Sequence, residues 1–234
     1  MTYAELHCLS CYSFLRSASH PRELVERAAQ QGYTALAITD ECSLAGVVKA
    51  HVAARELGLK LIIGSEVTLQ EGIRLLALAP SRAAYSELSG LISMARRRSP
   101  KGQYRVSLRD VILHLKRCLL IWLPQEHSDD TRAWGQQLQR LCKGRVWLGV
   151  SHLLGNNEVA RYQSLCQLAA ASGLPMVACG DVQMHCATRK PLHDVFTALR
   201  HNTSIDRLGR LRAGNSQRHL RSPGQLARLY PAHL

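Results

Sequence analysis

Aromatic residues make up only 5% of the 234-residue sequence. A core of stacked rings is excluded, so Leu, Val, Ile and Ala must supply the packing, which suits parallel strands under helices better than an aromatic-rich sandwich. No apolar run approaches the roughly 20 residues that a membrane span needs. Met1–Glu5 lacks the basic segment and following apolar stretch of a secretory signal. Acidic residues are scarce as well, 17 against 30 Lys and Arg, for a formal net charge of +13. A balance this basic points to a polyanionic partner, nucleic acid first, with an acidic neighbouring domain or subunit as the alternative. The eight cysteines, without a signal, read as reduced thiols of a cytoplasmic protein rather than a disulfide framework.

What is present is a core-forming chain, 46% hydrophobic and 20% charged, which excludes whole-chain disorder. Apolar β-like runs alternate with amphipathic stretches. Strands are predicted at Tyr3–Cys8, Thr34–Thr39, Leu59–Gly64, Val67–Leu69, Arg74–Ala79, Cys118–Leu123, Val146–Val150 and Pro175–Cys179. Ser19 or His20 can cap a helix that Pro21 opens and Gly32 ends, with Leu24, Val25, Ala28 and Ala29 on one face. Further helices are predicted over Leu44–Leu57, Arg82–Arg96, Thr131–Leu141, Asn156 or Asn157 to Gly173, and Leu192–Arg200. Such strand–helix–strand repetition predicts an α/β fold, a mainly parallel sheet or barrel with right-handed crossovers. Two stretches read as outside the core: the basic loop Ala95–Arg109 and the arginine-rich tail from Ile205.

Four predicted strands end in a possible metal ligand: His7, Asp40, Glu66 and Asp181. In barrels of parallel strands the C-terminal strand ends form the active site, so these side chains should converge. One His with three carboxylates suits Zn, Mn or Mg and phosphoester hydrolysis; the bland alternative is that polar residues mark where strands meet loops. His152 and His185 could add an imidazole. Cys8 and Cys11 form a C-x-x-C, and Cys179 and Cys186 flank Asp181, a pattern that coincidental buried thiols also give. There is no Gly-rich phosphate loop and no nucleophile elbow. Arg96, Arg97, Arg98, Lys101 and Arg105 could follow a phosphate backbone, or form a solvated loop.

The segments ELHCLSCYSFLRSASHPRELVERAAQQGYTALAITDECSLAGVVKAH (5–51), GLKLIIGSEVTL (58–69), GLPMVACGDVQMH (173–185) and GNSQRHLRSPGQLARLYP (214–231) resemble the polymerase-and-histidinol-phosphatase (PHP) domain at the N-terminus of error-prone C-family bacterial DNA polymerases. The resemblance implies a distorted TIM-like barrel of about seven mainly parallel strands, with residues 1–200 as the PHP domain. Residues 201–234 would then form a basic tail leading toward a polymerase region. It also implies a metal site built from H-x-H, D-H, Glu and D-x-H motifs, each of the paired motifs only half kept here. Leu9 stands at the second His of the first motif, Glu41 at the His of the second, and Gln183 at the His of the last. His7, Asp40, Glu41, Glu66, Asp181 and His185 remain as a degenerate ligand set for Zn, Mn or Mg.

The parent implied is a nucleotidyltransferase of damage-induced translesion synthesis, acting on DNA with other translesion or replication proteins and no membrane. Its own Mg site would lie beyond residue 234. A scaffolding role is favoured for this domain. A residual metal-dependent phosphoesterase or 3′–5′ exonuclease is the alternative, and a stand-alone phosphatase fits poorly with the tail at 214–231.

Overall fold

The computed structural model describes residues 3–124 and 129–230; Met1, Thr2 and Pro231 to Leu234, the outer ends of the two predicted segments, lie outside the described residues. Seven strands, β1 (Ala4–Glu5), β2 (Ala35–Ile38), β3 (Lys60–Thr68), β4 (Arg74–Ala79), β5 (Leu119–Trp122), β6 (Val146–Val150) and β7 (Met176–Ala178), form one sheet in chain order. Four neighbouring pairs are parallel and the two pairs made by β4 are antiparallel. β4 reverses because only Leu69–Ile73 joins it to β3, too short for a crossover helix; Gly72, at φ +79, takes the left-handed turn position. Past β1 and β7 the chain pairs again: Leu9 N donates to Val182 O and Val182 N to His7 O, each at 2.9 Å. That ladder brings the two ends of the sheet together as a nearly closed barrel.

Alternation divides the core in two. Ala37, Leu76, Leu78, Ile121, Leu123 and Cys179 pack inside the barrel, and the intervening Leu36, Ile38, Leu75, Ala77, Leu120 and Trp122 pack outward against helices. Gly64 and Gly149 make room in this interior, since a Cβ on either would come within 2.7 Å of Leu78 or Leu123 respectively.

Helices α1 (Pro21–Gln30), α2 (Val47–Leu57), α3 (Arg82–Arg97), α4 (Leu108–His114), α5 (Asp129–Leu141), α6 (Glu158–Ser172), α7 (Lys190–Arg200) and α8 (Pro223–Leu229) accompany the sheet. None of them is long and apolar enough to cross a membrane. The first strand is shorter than Tyr3–Cys8, because the chain leaves regular pairing after Glu5 and rejoins it only at Cys8. Leu59–Gly64 and Val67–Leu69 are one strand, with Ser65 and Glu66 inside it. α2 starts at Val47 rather than Leu44: Gly46 packs so tightly on Asp40 and Ser10 that a Cβ there would clash.

The two stretches read as outside the core are corrected. α3 reaches Arg97, and α4 begins at Leu108 under a capping box of Ser107 and Asp110. The tail after Ile205 folds back onto the barrel. Leu208, Leu220, Leu226 and Tyr230 are buried in it, and Arg221 is only 2% exposed, donating to His152 O at 2.7 Å. Its bridge from Met184 to His219 lays residue 218 over the barrel mouth.

Candidate functional site

Barrel closure and the Glu41–Glu66 bridge decide which side chains meet at the C-terminal ends of the strands. His7 is fully buried; its Nε2 lies 2.7 Å from Glu66 Oε2 and its Nδ1 3.7 Å from Asp181 Oδ1. Glu41 and Glu66, two like charges side by side, share one cation. Arg16 Nη1 donates to Glu41 Oε2 and to Glu66 Oε1, both at 2.7 Å, and Tyr104 donates its hydroxyl hydrogen to Glu41 Oε1 at 3.0 Å. Asp181, at φ +48 after Gly180, pairs with Arg218 across the mouth.

The charge states follow from these partners. Burial alone would push Glu66 up, but the His7 hydrogen bond, the His7 charge and the Arg16 and Arg74 guanidiniums hold its carboxyl well below the usual carboxylate range. Asp181 is also lowered: burial raises it, and Arg218, His7 and Arg74 outweigh burial. Asp40 goes the other way, raised by burial although it accepts hydrogen bonds from Ser10 N (2.8 Å), Ser10 Oγ (2.7 Å) and Ser13 Oγ (2.7 Å).

Of the residues expected to converge, His7, Glu66 and Asp181 meet directly and Glu41 joins through Arg16. Asp40 is occupied by the two serines. His185 turns to Ser19, 2.8 Å from its Nδ1, with Glu23 at 3.9 Å. His152 pairs with Glu158 at 2.9 Å. Gln183 takes a hydrogen bond from His193 Nε2 at 2.7 Å and donates to Asp181 Oδ1 at 3.3 Å. The cysteines make no shared site: Cys11 lies 3.1 Å from His20 Nδ1, Cys179 faces Val177 O and Cys186 faces Thr188.

In the basic stretch, Arg96 is committed to the backbone oxygens of Glu41, Cys42 and Gln103, and Arg98 to Asp110 and Arg105 O. Arg97, Lys101 and Arg105 are exposed.

Sequence reasoning missed Arg16, Arg218, Ser10, Ser13 and His193. Their signal was indirect. Once Leu9 and Gln183 stand where imidazoles are expected, the remaining carboxylates need other cations, and arginines in the adjoining loop and tail can supply them.

The residues present fit a metal poorly. The carboxylate oxygens that would ligate one are taken by guanidinium groups, and among the described residues no three His, Cys, Asp or Glu side chains form a group that could hold a metal ion. The donor set lacks the further imidazoles that Zn favours.

A PHP domain model matches residues 5–131, more than half of the chain. Curated relatives named error-prone DNA polymerase include those of Saccharophagus degradans, 49% identical over 234 residues, and Teredinibacter turnerae, 48% identical over 237 residues; each match covers 100% of this chain and 23% of the relative. The Pseudomonas aeruginosa relative is 46% identical over 99% of this chain and 22% of its own length. The chain thus spans about a quarter of the length of the curated relatives it matches. Two solved structures share the fold alone. One, from Bifidobacterium adolescentis and described as a metal-dependent phosphoesterase, has a TM-score of 0.55 at 21% identity, over 77% of this chain and 87% of that one. The other is an amidohydrolase from Chromobacterium violaceum with bound sulfate and no metal, with a TM-score of 0.60 at 15% identity and the same coverages. With the barrel, the strand-end residues and the match over residues 5–131 in agreement, this chain belongs to the PHP domain family.

Proposed function

We propose that the chain is the N-terminal PHP region of an error-prone DNA polymerase, and that its former metal centre now acts as a structural clamp. The observation that carries this reading is Arg16 bridging Glu41 and Glu66 at 2.7 Å each. A guanidinium there neutralises the carboxylates that a metal ion would otherwise neutralise, and it ties the loop after β1 to β3 and to the turn after β2. Arg218 does the same for Asp181, fastening the tail to the mouth. Residues 1–200 are the PHP domain in this reading, and 201–234 lead toward the polymerase region.

The parent would be a cytoplasmic nucleotidyltransferase of damage repair and translesion synthesis, with DNA and other replication or translesion proteins as its partners. The identities of 46–49% to error-prone polymerases support that parentage. Zn, Mn or Mg would be no part of this domain's working state. Nor is the phosphoesterase or 3′–5′ exonuclease reading favoured: hydrolysis would need an open metal position to activate water, and here the arginines hold the carboxylates.

The test is hydrolysis of a generic phosphoester and of single-stranded DNA by the purified chain with Zn, Mn or Mg added. No turnover above that of a His7→Ala variant is expected. Turnover lost in His7→Ala would overturn the reading.

A further inference from the structure

Beside the clamp, two further arginines have no ion pair among the described residues. A cavity of 270 Å³ opens between the loop after β1, α7 and the turn Gly209–Leu211. Five arginines line it, Arg16, Arg200, Arg210, Arg212 and Arg218, and among the described residues no Asp or Glu does. Three of them are engaged: Arg16 with Glu41 and Glu66, Arg212 with Asp194, Arg218 with Asp181. Arg200 and Arg210 are exposed and have no ion pair among the described residues. Two unpaired guanidiniums facing one polar cavity repel each other, and an oxyanion between them removes that cost.

The cavity does not stand alone. A neighbouring one of 680 Å³ shares Arg212 and Ala213 with it and adds Lys190, both cations being paired with Asp194, so polar walls continue along the tail. Leu15, at φ +58, lines the first cavity, and the residue before it, Phe14, is 82% exposed. An exposed aromatic one residue along the chain from an arginine-lined cavity is a combination that a strand can use: phosphates on arginine, a base on the ring.

We propose that this face binds single-stranded nucleic acid, with Arg200 and Arg210 holding backbone phosphate and Phe14 stacking a base. Arg200 and Arg210 are not part of the clamp, and the cavity does not include Arg97 or Lys101 of the basic loop. Phosphate contacts and stacking carry no base identity, so binding is expected to be insensitive to sequence.

Fluorescence anisotropy of the 234-residue chain with a labelled single-stranded DNA of about 12 nucleotides tests this. Arg200→Ala/Arg210→Ala should bind about tenfold more weakly near 0.1 M salt, with the slope of log affinity against log salt reduced by about 1–2. Arg97→Ala/Lys101→Ala removes the same charge from the loop and should change affinity by less than about twofold. Phe14→Ala should weaken the strand by about fivefold and leave titration with inorganic phosphate unaltered. All these side chains are exposed, so thermal melts should match the parent. The proposal is overturned by any of four results: no strand binding, an arginine-pair loss no greater than the loop pair's, an unchanged Phe14→Ala, or binding of inorganic phosphate without the strand.

Discussion

Replacing Arg16 with Ala would leave Glu41 and Glu66 beside each other with no cation between them. Glu66 is fully buried and the Arg16 side chain is only 10% exposed, so the uncompensated charge should cost roughly 3 kcal/mol of folding stability. Arg16→Lys should recover only part of this, because an ammonium is more strongly hydrated than a guanidinium and costs more to bury at this site. Urea denaturation of the two variants beside the parent measures both effects. The thiols give a second residue-scale expectation. Cys8, Cys42, Cys118, Cys142 and Cys179 are buried, and burial pushes Cys42 and Cys118 up to about 11; Cys11, Cys166 and Cys186 are half-buried. Ellman's reagent at neutral pH should therefore titrate three thiols in the native chain and eight in denaturant. More than three fast-reacting thiols would mean a looser core than the one described.

At the scale of elements, α4 is the helix that the sequence hid. Ser107 and Asp110 have capping-box spacing, but they sit among arginines that read as a solvated loop. Asp110 also takes Arg98, whose hydrogen bond is the largest influence on its carboxyl; burial opposes it, the Ser107 amide and hydroxyl reinforce it, and the carboxyl sits at about 2. In the unfolded chain it titrates near ~3.9. A folded value below the unfolded one gives stability that is fully present above about pH 4 and lost as pH falls toward 2. The contribution is roughly 1 kcal/mol after solvent screening at this partly open pair. Asp110→Asn should lie below the parent by that amount at pH 6 and converge with it near pH 2 in thermal melts. A constant gap across this range would show that the helix does not depend on the Asp110 charge.

The strands themselves were legible because lumen and helix faces are both apolar, so β2, residues 75–79 of β4, and β5 read as unbroken apolar runs. Boundaries failed where tertiary contact overrode local pattern. Gly46 is held against Asp40, which delays α2, and Glu66 is carried inside β3 because its charge is met by His7 and Arg16.

For the molecule as a whole, the tail was the largest misreading. Five arginines spread over 207–221 look like solvated chain, yet between and after them Leu208, Leu220, Leu226 and Tyr230 complete the core, and Arg221 is itself buried. Periodicity could not show this, since the segment uses short turns and isolated bridges rather than a long amphipathic element. Ending the chain at Ala213 would remove three of those apolar side chains. At roughly 1.5–3 kcal/mol each, that loss rivals the total stability of a domain, about 5–15 kcal/mol. The shortened chain should lose its cooperative thermal transition by circular dichroism, and a retained sharp transition would make the tail dispensable. The candidate site was legible in the same partial way. His7, Glu66 and Asp181 could be placed from strand ends, while the arginines that answer them come from loop and tail, where no spacing rule applies.

The most direct test of arginines in place of metal is the metal content of the chain itself. Elemental analysis for Zn, Mn and Fe, on folded protein purified without chelator, should give well under one equivalent per chain and no difference from His7→Ala. One equivalent or more, lost in His7→Ala, would contradict the clamp and restore the barrel mouth as a metal centre.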